Sequence, residues 1–263
     1  MKPGWGSRVI SVWAGVALLY LFTPIFVIVA FSFNKPLSSY NYLWHKFSFD
    51  AWAHPFRYSQ LKDAFVLSLR VAFLSTFISV VLGTAMALTL VKYRFRGKGL
   101  INTLLVLPLT MPEVVLGFSL LTVFVAINWD RGFRTVVVAH VMFCMSYVAT
   151  TVKARIRGFD WRLEDAAADL GADPWRTFTK VTFPLILPGV AAAALLCFAL
   201  SLDDFIITYL NSGLKPTFPV AVWTLKRAAV PPQINVFATS VLVVGVTLAL
   251  GGMALQRRSA RAV

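Results

Sequence analysis

The sequence predicts an all-α membrane protein with six transmembrane helices, and three observations support this fold class. Of the 263 residues, 58% are hydrophobic and only 14% are charged, whereas soluble domains carry about 25% charged residues. The apolar residues are concentrated in six runs, each long enough to cross roughly 30 Å of hydrocarbon as a helix. The basic residues flank these runs, so the net charge of +14 does not indicate nucleic-acid binding.

We predict a single transmembrane domain over residues 1–263. Its six spans are predicted at residues 9–33, 64–91, 100–127, 133–152, 185–210 and 234–256. The first run is too long for the apolar part of a secretory signal and no small-x-small cleavage site follows it, so we expect it to be retained. Pro108, Pro112 and Pro188 lie inside the third and fifth spans, where proline is expected to kink or open a helix.

The loops predict an orientation in the membrane. The loop over residues 34–63 is rich in Trp and Tyr, which is typical of a segment at the membrane–water interface. If both ends of the chain are cytoplasmic, 15 of the 25 Lys and Arg residues lie on that side, in the two ends, the loop 92–98 and the segment 153–184. The positive-inside rule therefore predicts cytoplasmic termini.

The segment between the fourth and fifth spans, residues 153–184, is charged and clearly punctuated, and we name it the elbow. Asp160 is predicted to cap a short helix, because its carboxylate can accept a hydrogen bond from a first-turn N–H. The helical spacing of Leu163, Ala166, Ala167 and Leu170 places them on one face. Gly171 is predicted to end this helix in a left-handed conformation.

A second short helix is predicted after Gly171. Asp173 and Pro174 supply a cap and a first-turn proline, Trp175 and Phe178 share a face, and Pro184 is expected to end the helix. The elbow is therefore a helix-turn-helix with a short apolar ridge. It could insert into a groove on a partner protein, as amphipathic helices do, or pack on its own domain as a solvated loop helix.

Acidic residues inside the predicted spans form a second candidate site, because an acid in the membrane costs several kcal/mol and usually has a function. These residues are Glu113 in the third span and Asp203 and Asp204 in the fifth. They could line a path for a cationic solute, or they could cap helices and bond between them at a break. Phe205 and Tyr209 could stack on a cation or pack in the core.

The remaining residues do not predict catalysis. No Ser/His/Asp or Cys/His arrangement and no Gly-x-x-x-x-Gly-Lys-Ser/Thr phosphate loop occurs in the sequence, so we predict no catalytic residue and no metal site. Cys144 and Cys197 are interpreted as small packing residues. His140 is interpreted as a hydrogen-bonded packing residue in the fourth span.

The elbow resembles the signature loop of permease subunits of bacterial binding-protein-dependent ABC importers. That pattern is Glu-Ala-Ala, three residues, Gly, nine residues, then Ile-x-Leu-Pro. It corresponds here to Asp165-Ala166-Ala167, Gly171 and Val181-Thr182-Phe183-Pro184. Asp165 replaces the pattern's Glu, but Glu164 stands beside it, so either acid could make the polar contacts.

The resemblance implies a type I ABC importer permease fold in which the elbow is the coupling helix of a cytoplasmic ATPase dimer. It implies coupling roles for eight residues of the elbow: Leu163, Glu164, Asp165, Ala166, Ala167, Gly171, Val181 and Pro184. The implied partners are that ATPase dimer, a second homologous permease subunit, an extracytoplasmic solute-binding protein and membrane lipid. ATP and Mg²⁺ would be bound by the ATPase, and no cofactor by this chain.

The solute is indicated by a narrower resemblance. Ser201-Leu202-Asp203-Asp204 and Met111-Pro112-Glu113 resemble segments of permeases that import the polyamines spermidine and putrescine. This implies an inner-membrane subunit that moves polyamines by alternating access. Three alternatives stay open: an ABC importer for another small solute, an ion-coupled secondary transporter, and a membrane enzyme that uses Asp203 and Asp204.

Overall fold

The computed structural model describes residues 5–259, and its regular structure is helical. The helices are α1 (Trp5–Phe31), α2 (Asp50–Ala53), α3 (Ser59–Lys92), α4 (Lys98–Thr110), α5 (Glu113–Ala126), α6 (Phe133–Ile156), α7 (Arg162–Asp169), α8 (Pro174–Thr177), α9 (Phe183–Asp203), α10 (Ile206–Asn211), α11 (Phe218–Leu225) and α12 (Pro232–Ser259). A π-helical segment, Phe178–Thr182, joins α8 to α9. Residues 5–259 contain two isolated β-bridges and no strand, so the all-α prediction is confirmed.

Four described helices are long and apolar enough to cross a membrane. They are Val9–Phe31, Ser59–Lys92, Phe133–Ile156 and the continuous helix Pro174–Asp203. The pair formed by α4 and α5 adds a fifth span if it is counted as one, and the apolar part of α12 covers Pro232–Thr247. The described structure is therefore compatible with the six predicted spans.

The third predicted span, residues 100–127, consists of two helices, with the break in the region where its prolines were expected to kink or open the helix. The chain leaves the helical conformation at Met111 and Pro112, where ψ is 139° and 133°. The next helix, α5, is bent by 112° relative to α4. The physical reason is Pro112, which lacks an N–H and disfavours the helical conformation of the residue before it. Pro108 is accommodated inside α4.

The described chain divides into two compact units, one from residues 1–62 and 222–263 and the other from Asp63–Ala221. The core of the second unit lies where α6 packs on α9, with Cys144, Val148 and Cys197 fully buried. The Cys144 thiol donates to the Cys197 carbonyl at 3.6 Å. Gly189 allows close packing here, because a Cβ at this position would lie 2.7 Å from Arg155 Cβ.

The first unit holds the aromatic loop after α1 in a defined conformation. The Asn34 side chain is its centre: its amide donates to the Asn41 side chain at 2.7 Å and to the Leu43 carbonyl at 2.8 Å. Its oxygen accepts from the His45 N–H at 2.9 Å. The Phe33 ring stacks on Trp52, with centroids 5.4 Å apart. The loop is therefore fixed by buried amide hydrogen bonds as well as by its aromatic rings.

Candidate functional site

The first turn of the elbow is formed largely by the residues that the sequence indicated. The Asp160 carboxylate accepts the Arg162 N–H at 3.1 Å, although α7 begins one residue later than a cap at Asp160 would place it. At the other end, the Ala172 N–H bonds to the Ala167 carbonyl at 3.0 Å and the Gly171 N–H to the Ala168 carbonyl at 2.9 Å. This is the Schellman arrangement, and Gly171 has the left-handed φ of +79° that it requires.

The second short helix of the elbow, α8, also begins where it was predicted to begin. One carboxylate oxygen of Asp173 accepts the N–H groups of Trp175 and Arg176, both at 3.0 Å. Pro174 occupies the first turn, where its missing N–H costs no helical bond. Local side-chain chemistry therefore determines both helix boundaries inside the elbow.

Pro184 does not end this second helix, and that expectation was wrong. The chain continues from Pro174 to Asp203 as one helix of 30 residues, because the π-helical segment Phe178–Thr182 joins α8 to α9. In that segment the Phe183 N–H bonds to the Phe178 carbonyl, five residues back. The wider turn relieves the clash that a proline makes with the carbonyl four residues before it.

The Glu164 side chain contacts two other parts of the chain from inside the elbow. Its carboxylate pairs with Lys92 at the end of α3 and accepts the Thr182 hydroxyl at 2.5 Å. The Lys92 ammonium also lies 5.4 Å from the centroid of the Trp161 ring. Asp165, by contrast, is exposed. Glu164 therefore stabilises the elbow by bonding to α3 and to the start of the fifth span, and Asp165 faces outward.

The apolar ridge of the elbow has no cover in the described chain. Leu163 is 45% exposed, Leu170 90% and Trp175 71%, and neither α7 nor α8 contains a buried residue. Ala166 and Pro184 are also exposed, whereas Ala167 and Val181 are half-buried. Large apolar side chains that project together from a charged segment are typical of an interaction surface.

The second candidate site is a break in the fifth predicted span, which was expected to run from 185 to 210. α9 ends at Asp203, Asp204 is extended (φ −60°, ψ 124°), and α10 restarts at Ile206. The Asp204 carboxylate accepts both the N–H and the hydroxyl of Thr208 at 2.8 Å. A side chain that bonds to a backbone N–H in this way competes with the helix, so the span is divided into two helices.

His140 joins the two sides of this break from α6. Its Nδ1 lies 2.7 Å from Ser201 Oγ on α9, and its Nε2 lies 2.9 Å from Thr208 Oγ1 on α10. The same Nε2 lies 3.3 Å from the Asp204 carboxylate. His140 is fully buried and the Asp204 side chain is 5% exposed, so this cluster lies inside the helix bundle.

The other predicted acids are on the surface of the isolated chain. Asp203 is exposed, and beyond it the rings of Phe205 and Tyr209 stack with centroids 5.6 Å apart. Glu113 is exposed in the first turn of α5. One turn further on α5, a Cβ on Gly117 would lie 2.8 Å from Leu210 Cδ1, so the helix that carries Glu113 packs closely on α10.

Sequence reasoning assigned no role to five residues of these two sites: Lys92, Thr182, Ser201, Thr208 and Ser75, whose hydroxyl oxygen lies 3.0 Å from that of Ser201. Thr208 lies four residues after Asp204, a spacing that brings side chains together on a helix. Lys92 gave no local signal, because Glu164 lies 72 residues further along the chain.

The helical fold, the exposed elbow and the broken acidic span define a multi-pass membrane permease. A family model described as binding-protein-dependent transport system inner membrane component matches residues 79–263. The chain belongs to this family. The resemblance noted in the elbow is thereby confirmed.

Similar proteins cover nearly the whole chain. Spermidine/putrescine transport system permease protein PotC of Haemophilus influenzae is 34% identical over 245 residues, which cover 93% of this chain and 95% of that protein. Putrescine transport system permease protein PotI of Escherichia coli is 39% identical over 244 residues, 88% of this chain and 86% of that protein. A solved bacterial ABC transporter involved in import of the acidic polysaccharide alginate has a TM-score of 0.71 at 17% identity, covering 97% of this chain and 96% of that chain. This likeness confirms the predicted permease fold.

Proposed function

We propose that this chain is the transmembrane permease subunit of an ATP-driven importer that moves spermidine or putrescine into the cell by alternating access. One observation carries the proposal: the elbow and the acidic break lie towards opposite ends of a single helix, Pro174–Asp203. At 1.5 Å per residue, 30 residues extend about 45 Å, enough to cross a bilayer. A displacement of the elbow would therefore move the backbone beside Asp203.

The elbow is the proposed contact with a cytoplasmic ATPase dimer. Its exposed ridge of Leu163, Leu170 and Trp175 suits insertion into an apolar groove, and the exposed Asp165 is available for a basic group on the rim. The Lys and Arg bias supports cytoplasmic placement of the elbow and of both termini. ATP and Mg²⁺ are bound by the ATPase in this proposal, and this chain transmits the motion.

The proposed solute is a polyamine because the break exposes an acid beside aromatic rings. A flexible chain with several ammonium groups would be met by Asp203 and Glu113, both exposed, and by the stacked Phe205 and Tyr209. Asp204 is engaged inside the protein by His140 and Thr208. The two relatives, which are named for spermidine and putrescine transport, support the same class of solute.

Two further partners complete the proposed importer in the bacterial inner membrane. A second homologous permease subunit would face the exposed acids and close the path around the solute. An extracytoplasmic solute-binding protein would deliver the polyamine, in keeping with the family's description as binding-protein-dependent.

The test is uptake of radiolabelled spermidine and putrescine into vesicles that contain this chain, with and without its ATPase and second permease. Gly171→Arg is expected to abolish ATP-dependent uptake and the copurification of the ATPase. Gly97→Arg is the matched control, because Gly97 is also left-handed (φ +88°) and open to solvent, but lies in another loop. Asp203→Asn is expected to lose uptake with the ATPase still bound.

The alternatives give different outcomes in the same vesicles. A complex that hydrolyses ATP but moves neither polyamine would leave an ABC importer for another small solute. Uptake that follows an ion gradient without any ATPase would establish a secondary transporter and contradict the proposal.

A further inference from the structure

The buried cluster around His140 fixes how its hydrogen atoms are arranged. Asp204 Oδ2 accepts the Thr208 hydroxyl at 2.8 Å. A hydroxyl has one proton, so Thr208 has none left to donate to His140. The 2.9 Å contact between His140 Nε2 and Thr208 Oγ1 must therefore be donated by the ring. Nε2 carries a proton.

Whether the other ring nitrogen, Nδ1, donates or accepts follows from the contacts of two serines. Ser75 Oγ donates to the Val71 carbonyl of its own helix at 2.7 Å, so its 3.0 Å contact with Ser201 Oγ is donated by Ser201. The Ser201 hydroxyl proton is then engaged with Ser75. In the 2.7 Å contact between Ser201 Oγ and His140 Nδ1, the ring nitrogen is therefore the donor as well. With these donor assignments both nitrogens carry protons, which is the imidazolium form of the ring.

The electrostatic surroundings agree with this arrangement. The Asp204 carboxylate is almost fully buried and lies 3.3 Å from His140 Nε2. A buried carboxylate without a counter-charge is very costly, whereas an opposite charge and the two hydrogen bonds from Thr208 offset that cost. The Phe143 ring lies 5.4 Å from the His140 ring, within the range of a cation–π contact. A neutral ring that accepts from Ser201 would leave the 3.0 Å contact between the Ser75 and Ser201 oxygens without a hydrogen, unless Ser75 gave up its 2.7 Å bond to Val71.

We propose that His140 is a positioning residue, held as an imidazolium, that neutralises Asp204 and clamps the break between α9 and α10. It holds α9 through Ser201 and α10 through Thr208, so it fixes the angle at which the chain leaves Asp203. The pairing removes Asp204 from the solute path and leaves Asp203 as the acid of the pair that meets the cation. This last step rests on the proposed function, whereas the clamp does not.

The clamp is tested first without transport, by ¹⁵N NMR of histidine in the purified full-length protein. In a His45→Gln/His54→Gln background, His140 is the only labelled ring. We expect two protonated-type nitrogens at neutral pH in this background, and one unprotonated nitrogen after Asp204→Asn. A neutral ring in the parent would overturn the proposal whatever the solute is.

The second test is a double-mutant cycle in the complete vesicle system. His140→Gln leaves the Asp204 carboxylate buried without a counter-charge, and Asp204→Asn removes the charge that holds the ring protonated, so each variant alone is expected to lower uptake about tenfold. The double variant removes both charges and is expected to return to within about threefold of the parent, with an unchanged KM for polyamine. Pairing His140→Gln with Asp203→Asn is the control, in which uptake should stay as low as in Asp203→Asn alone and should not be rescued.

The cycle separates a clamp from a solute contact. If Asp204→Asn raises KM and His140→Gln does not rescue it, Asp204 meets the solute and the proposal is wrong. If the parent moves no polyamine, the same four variants are compared by thermal unfolding. A double variant that is no more stable than the singles would again contradict the clamp.

Discussion

Glu164 and its neighbour Asp165 illustrate how two adjacent acids acquire different roles. The Glu164 side chain is 14% exposed and pairs with Lys92, and it also accepts the Thr182 hydroxyl, so it ties the ends of two long helices to the elbow. Asp165 is exposed. The motif alone could not assign these roles, because the contact with Lys92 depends on the path of a chain segment 72 residues away.

Glu164→Gln is therefore expected to affect stability, and Asp165→Asn is expected to affect ATPase binding. Losing the carboxylate of Glu164 weakens two charge-assisted hydrogen bonds, which should destabilise the protein by about 1–2 kcal/mol. Asp165→Asn should change stability by less than about 0.5 kcal/mol but reduce copurification of the ATPase. Thermal unfolding and pull-down measure the two effects, and the reverse pattern would show that Asp165 is the brace.

Gly171 is a conformational requirement and not a packing one. Its φ is +79°, and a Cβ there would meet no atom within 4 Å. Gly171→Ala should therefore cost about 1 kcal/mol through backbone strain alone, and Gly171→Asn should cost less because Asn tolerates this conformation. Unfolding of the two variants is the measurement, and an equal loss for both would contradict the explanation.

At the scale of helices, prediction succeeded where the signal lies within a few residues. Asp173 caps α8 and Gly171 ends α7 because the bonds that fix these boundaries join residues two to five positions apart. It failed at Pro184, and at Asp204 it left the break as one of two alternatives, because both outcomes depend on other elements. The π-helical segment accommodates Pro184, and the break after Asp203 is held from α6 by His140. Neither is visible in local spacing.

The packing of α5 on α10 gives a test at this scale. A Cβ on Gly117 would lie 2.8 Å from Leu210 Cδ1, so Gly117→Ala should push the helices apart and destabilise the protein by about 1–3 kcal/mol. Gly99→Ala is the control, because that helical position is open, and there the substitution should be neutral or stabilising. Equal effects on thermal unfolding would show that the contact relaxes freely.

For the whole molecule, the described structure exposes apolar surface that a chain in water could not keep. No residue in the apolar stretch of α1, Val9–Phe31, is buried. A lipid or protein environment must cover this surface, so the stability of the chain depends on its surroundings. The composition predicted the membrane class correctly, because hydrophobic runs are read without knowledge of contacts. It could not predict which faces of the spans meet protein.

The orientation can be tested with two single cysteines. The native thiols of Cys144 and Cys197 are buried, so the parent should resist a membrane-impermeant maleimide. Leu214 is 100% exposed and Leu170 is 90% exposed, which makes them a matched pair. Leu214→Cys should react in intact cells or spheroplasts, and Leu170→Cys only after lysis. The opposite result would place the termini outside.

The π-helical segment Phe178–Thr182 also affects how the direction of the elbow depends on chain length. A π turn is equivalent to one residue inserted into an α-helix, and each residue turns the helix by about 100°. Deleting one residue between 178 and 182 should therefore remove the wide turn and leave α7 and α8 close to their present direction, whereas deleting one residue from the α-helical part of α9 would rotate them by about 100°. The direction of the elbow thus tolerates one change of chain length at the π turn, and the same change elsewhere in the helix would redirect the ridge without altering any of its residues.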